Sequence, residues 1–218
     1  MRLVRIKFSK LGESKYISHL DLMRCMSRAV RRAKLPLWYT EGFNPHPYMT
    51  FALPLSLGSE SVCEFMDIRI EGDISNAEIM LKLNDVMPES IIITDIYEPV
   101  YDAKLITYAE FDVTFNDVDE AFASQLTALL SEGELIVKKI SKKGRNKVMK
   151  EIDLREHIKN YVINTVDDKC VLTIVLPAGS TVNINPSLLV GLVKEQIADV
   201  YTDTLRKTLF TADMKIFK

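Results

Sequence analysis

Residues 2–36, RLVRIKFSKLGESKYISHLDLMRCMSRAVRRAKLP, carry the first strand, turn and helix of the chain. Basic and apolar residues alternate from Arg2 to Phe8, the period of a strand with one buried face. After the turn SKLGES, the run Ser18-His19-Leu20-Asp21 has a hydroxyl at an N-cap and an acid three residues on, a capping box. It predicts a helix to about Lys34, stopped by Pro36. Leu22, Met26, Ala29 and Ala33 form its apolar stripe, and Arg24, Arg28, Arg31 and Arg32 crowd the opposite side.

Working outward, residues 37–55 are rich in proline and aromatics, and residues 62–70 (VCEFMDIRI) read as a strand. Ser75-Asn76-Ala77-Glu78 is a second capping box, with Ile79, Leu83 and Val86 behind it and Pro88 at the exit. Residues 91–96 (IIITDI) read as a buried strand. The order strand, helix, strand, strand, helix, strand is that of a split βαβ, ferredoxin-like unit. A second series follows: a strand over 108–115, a helix capped by Asn116 or Asp117, a hairpin around the loop SKKGRN, an ambiguous segment over 157–164, a strand over 171–176, a helix begun by Pro186, and one or two short strands over 205–217. The expected architecture is α+β, two tandem ferredoxin-like units with antiparallel sheets and helices on one face. The expected boundaries are 1–102 and 103–218.

The chain has 218 residues, 28 Lys+Arg and 30 Asp+Glu, for a net charge of −2. That total conceals a division. Residues 1–50 carry +7, residues 51–135 carry −15 and residues 136–218 carry +6. Local patches therefore govern what the surface attracts. No run approaches the ~18 apolar residues of a membrane span, and the charged N-terminus excludes a signal-peptide core. Three scattered cysteines, Cys25, Cys63 and Cys170, fit a reducing cytoplasm better than a disulfide framework. They lack the paired spacing of a zinc or iron–sulfur site, so no cofactor or metal is expected. Phosphate-binding, dinucleotide, metalloprotease and hydrolase signatures are all missing.

Several stretches follow one family closely: Phe8-Ser9-Lys10-Leu11-Gly12, Tyr16-Ile17-Ser18-His19-Leu20-Asp21, Gly42-Phe43-Asn44-Pro45-His46-Pro47, and Phe51-Ala52-Leu53-Pro54-Leu55 with Gly58. The chain resembles the radical SAM-associated (radical SAM-linked) proteins, a domain of unknown function. In that family the domain stands alone or is fused behind a cobalamin-binding radical SAM enzyme, and this chain resembles the standalone form. The match is specific over about residues 2–65 and weaker beyond. The resemblance implies a radical SAM enzyme as partner. At fold level only, tandem ferredoxin-like units with basic surfaces are also similar to CRISPR repeat-processing endoribonucleases.

Four places are candidate sites. Tyr16, His19 and Asp21 at a helix start, with Asn44 and His46 in a proline-stiffened loop, could bind an anion or supply acid–base chemistry; they read equally as a cap and a turn. The arginine face with Lys34, near Trp38, Tyr39 and Phe43, suits a polyanion, arginines holding phosphates while aromatics stack bases. The lysine-rich segment 138–150, including Lys142, Lys143, Arg145 and Lys147, could track a nucleic-acid backbone or merely protect a hairpin edge. The loop 178–187 could offer N–H groups to phosphate, though a plain connection accounts for it. The acids Glu60, Glu64, Asp67, Glu71 and Asp73 form no metal cage and read as an outer face or a docking surface. The expected function is an RNA-binding or substrate-presenting accessory protein, without membrane association and without catalysis of its own. Its rivals are a metal-independent endoribonuclease using His19 or His46, and a protein-docking module.

Overall fold

The computed structural model describes residues 1–143, 146–179 and 181–218, with the backbone alone for 139–143 and 146–150. The chain is mixed α+β and divides into two compact units, Met1–Thr107 with Leu205–Lys218, and Tyr108–Thr204. Among the described residues no helix is long and apolar enough to cross a membrane.

In the first unit, β1 (Arg2–Lys10) leads through a 3-10 turn (Gly12–Tyr16) into α1 (His19–Arg32). Then come β2 (Met49–Phe51), β3 (Glu60–Ile70), α2 (Asn76–Asn84) and β4 (Ile91–Tyr97). β1 lies between β4 and β3, antiparallel to both. The other edge of β3 is shared: Met66–Ile68 pair antiparallel with β2, while Glu60 and Ser61 pair in parallel with Leu205 and Arg206 of β10 (Thr202–Thr211). The capping residues work as their spacing predicts. Ser18 Oγ accepts the Asp21 N–H and Ser75 Oγ the Glu78 N–H, each satisfying a donor that the helix start leaves free.

Both helices cover one face of this sheet. Leu22, Met26 and Val30 of α1 and Ile79 and Leu83 of α2 join Val4, Ile6, Phe8, Met66, Ile68 and Ile70 in one apolar core. Burial at ~25 cal/mol per Å² makes such a core the main source of stability. Strand alternation turns Arg5, Lys7, Phe65, Asp67 and Arg69 to the opposite face. The basic positions of β1 are nevertheless no simple solvent face. Arg5 is 1% exposed. Its guanidinium donates to both Asp67 carboxylate oxygens at 2.7 Å and to the Tyr101 and Lys218 carbonyls, and it lies 4.5 Å from the Phe217 ring centre.

The second unit contains β5 (Ile106–Asn116, from Tyr108), α3 (Glu120–Ser131), β6 (Ile136–Lys143), β7 (Asn146–Asp153), β8 (Asn160–Val166), β9 (Lys169–Pro177) and α4 (Ser187–Gln196). β9 pairs antiparallel with both β5 and β8. β6 and β7 form the expected hairpin, a sheet of their own. The cap of α3 is Asp119, whose carboxylate accepts the Phe122 N–H, rather than Asn116 or Asp117. Asp117 instead takes a left-handed turn at φ 56°. The ambiguous segment resolves into a 3-10 turn (Leu154–His157) followed by β8.

Candidate functional site

The start of α1 carries the first group of predicted residues. Ser18 also donates to the Asp21 carboxylate at 2.7 Å, and Arg24 donates to the same carboxylate at 3.0 Å. These bonds hold the Asp21 pKa below its ordinary value. His19 is half-buried, its ring edge-on to Phe51 with centroids 5.4 Å apart. Tyr16 is exposed, with the Lys15 ammonium 5.4 Å from its ring centre. The His46 Nδ1 is 3.1 Å from both Thr40 Oγ1 and the Asn44 carbonyl. The Thr40 N–H donates to the His46 carbonyl, closing the loop. Gly42, at φ 126°, turns the chain there as few other residues can. Phe43 stands wholly exposed beside Asn44, also exposed. No hydrogen bond or ring contact joins His19, His46 and Tyr16 among the described residues.

The second group lies on the outer side of α1. Arg24, Arg28 and Arg31 fall at helical spacings of four and three and share one stripe. All four arginines are exposed, and Lys34 follows them. Their commitments differ. Arg24 pairs with Asp21, and Arg32 donates to the Val86 carbonyl at 2.8 Å. The Arg28 and Arg31 side chains make no hydrogen bond or ion pair among the described residues. Trp38 does not join this stripe. Its ring packs against Tyr48, centroids 6.1 Å apart, and both rings contact Arg69, on the sheet face that α1 does not cover.

The hairpin β6–β7 pairs Lys142 with Lys147 and Lys143 with Asn146 along its backbone. The side chains of Lys142, Lys143 and Lys147 lie outside the described residues, as does Arg145. In the loop 178–187, Asn185 Oδ1 accepts the Ser187 N–H, so the residues there cap α4, which begins one position after Pro186.

The sequence reading did not bring one cluster together. Arg206, 2% exposed, donates to the Glu64 carboxylate, itself 4% exposed, and to the Leu53 and Pro54 carbonyls. Lys10 is also buried and reaches the Ile17 carbonyl at 3.3 Å. Burial lowers its pKa from 10.5, against an opposing pull from Glu64. The neighbouring Cys63 thiol is pushed up to about 11, again by burial, which keeps it a neutral and unreactive thiol. Gly12 N–H donates to Glu60 at 2.6 Å. Of the five acids read as an outer or docking face, Glu64 and Asp67 are therefore held in ion pairs with buried arginines. The cluster draws the segments 8–12, 16–19, 51–54 and 58–64 together at one end of β1 and β3. No local pattern signals it, because Glu64 and Arg206 are 142 positions apart.

Comparison with known proteins adds a family and a fold. No curated protein matches the chain. A chain from a crystal structure of a Cbf5-Nop10-Gar1 complex is similar with a TM-score of 0.51 at 9% identity, over 94% of this chain and 48% of that one. This chain thus spans about half the length of that neighbour, and the likeness concerns the fold alone. A family model described as "Uncharacterized protein conserved in bacteria (DUF2344)" matches residues 3–186. That match covers most of the chain, which therefore belongs to the DUF2344 family of uncharacterized proteins conserved in bacteria.

Proposed function

We propose that this protein binds RNA and presents it, or a substrate bound with it, to a radical SAM partner enzyme, without catalysis of its own. The observation that carries the reading is α1. One side of the helix is sealed in the core, and the other exposes Arg28 and Arg31 with their charges uncommitted. Exposed guanidinium groups without carboxylate partners attract phosphates, and the attraction requires no sequence-specific contact. The exposed Phe43 adds an aromatic face suited to stacking on an unpaired base. The partner rests on the resemblance of the segments 8–12, 16–21, 42–47 and 51–58 to radical SAM-associated proteins.

We also read each unit as ferredoxin-like. The order β4-β1-β3-β2 with two helices on one face supports this for the first unit. The nuclease reading draws less support, since His19 is engaged with Phe51 and His46 with Thr40 and Asn44. The test is a fluorescence anisotropy titration of a labelled single-stranded RNA. The wild type is expected to bind, and the double variant Arg28→Glu/Arg31→Glu to bind at least tenfold more weakly; equal affinities would refute the role given to α1.

A further inference from the structure

The face of the first unit's sheet opposite the two helices holds a guanidinium in an unusual setting. Met49 pairs with Ile68 and Thr50 with Asp67, so the chain leading into β2 continues alongside β3 toward Arg69. There the Trp38 N–H donates to the Arg69 carbonyl at 3.0 Å, and the Tyr48 N–H to the Trp38 carbonyl at 3.1 Å. Three chain segments are thereby bonded side by side at the level of Arg69. Ile68 and Ile70 are fully buried in the helix-covered core, so alternation turns Arg69 to the other face. Its Cζ lies 4.2 Å from the Tyr48 ring centre and 5.0 Å from that of Trp38.

Two aromatic rings therefore hold this guanidinium, and it makes no hydrogen bond or ion pair among the described residues. The unit's two buried arginines are different. Arg5 and Arg206 each meet a carboxylate and two carbonyls. A guanidinium held by ring contacts alone keeps hydrogen-bond donors to offer a ligand. An arginine already immobilised in this way loses less conformational freedom when an anion arrives. A planar fork of donors matches the two oxygens of a phosphate.

We infer that Arg69, seated against Trp38 and Tyr48, is a pre-oriented contact for a backbone phosphate of single-stranded RNA, on a different face of the sheet from α1. The inference rests on the RNA-binding reading above and extends it to a second surface.

The experiment titrates a labelled oligouridylate into the full chain and its variants at several salt concentrations. Arg69→Ala is expected to weaken binding about tenfold, as for loss of a charge-assisted hydrogen bond, and to reduce the salt-dependence slope by about 0.7, one single-strand phosphate contact. Arg69→Lys is expected to restore the slope but not the affinity, because a lysine keeps the charge and loses the fork. Near-ultraviolet circular dichroism and thermal midpoints check that each variant is folded. Wild-type affinity in Arg69→Ala, with binding lost in Arg28→Glu/Arg31→Glu, overturns this inference and leaves the α1 reading intact. The reverse pattern supports Arg69 and sinks α1. Full affinity in Arg69→Lys, or equally tight binding of oligoglutamate at the same site, reduces Arg69 to a generic charge and also overturns the proposal.

Discussion

The first unit uses arginine in two opposite ways. At the end of β1 and β3, Arg206 is enclosed with Glu64, near the buried Lys10. On α1, Arg28 and Arg31 are exposed and make no hydrogen bond or ion pair among the described residues. Removing a charge from water carries a desolvation penalty of several kcal/mol per ion, which only a well-bonded counter-charge offsets. A solvated arginine incurs no such penalty and contributes little to stability, but it remains available to a ligand. Net charge counts both kinds alike. What separates the charges that hold the fold from those that can bind is whether each guanidinium is buried and already engaged by acceptors of the protein.

The sharpest way to break this contrast is Glu64→Gln. It leaves Arg206 and Lys10 buried without their carboxylate, and urea unfolding should show a loss of about 3–5 kcal/mol. Replacing the pair together, Glu64→Leu with Arg206→Met, should recover the part of that loss due to Arg206, while Lys10 stays buried without its carboxylate. A near-neutral Glu64→Gln would mean the cluster is wetter than its burial implies. Next in size is Ser18→Ala, which removes the N-cap of α1 and should lower stability by about 1 kcal/mol in the same assay.

Lys10 gives a pH signature. Its folded pKa lies below the unfolded 10.5, so between the two values the unfolded chain binds more protons. Stability should therefore rise with pH across that window. Cys63 acts in the other direction: its folded pKa of about 11 exceeds 9.0, so stability falls as pH rises between them. Subtracting the profile of Lys10→Met from that of the wild type isolates the rising component; a flat difference would contradict the lysine's burial. The smallest effect belongs to the exposed side, where Arg28→Ala/Arg31→Ala should change stability by less than about 0.5 kcal/mol.

Local chemistry was legible in the sequence where neighbours in the chain are neighbours in space. The caps at Ser18 and Ser75, the apolar stripe of α1 and the hairpin around SKKGRN all depend on residues a few positions apart. Short-range ambiguities shifted details. Asp119, not Asn116 or Asp117, caps α3, because Asp117 is used in a left-handed turn. Non-local pairing was illegible. The alternation of β1 marks one apolar face for burial, yet Arg5 on the other face is buried too, because Asp67, 62 positions away, meets it from the adjacent strand. For the same reason Trp38, close in sequence to the arginine helix, packs with Tyr48 and Arg69 on the opposite side of the sheet.

The most direct test of the central claim is the salt dependence of RNA affinity, measured for the wild type and for Arg28→Ala/Arg31→Ala. If these two uncommitted arginines each hold a phosphate, the slope of log affinity against log salt should shrink by about 1.4 in the double variant. Parallel lines of equal affinity would contradict the account, since the charges left free on α1 would then play no part in binding.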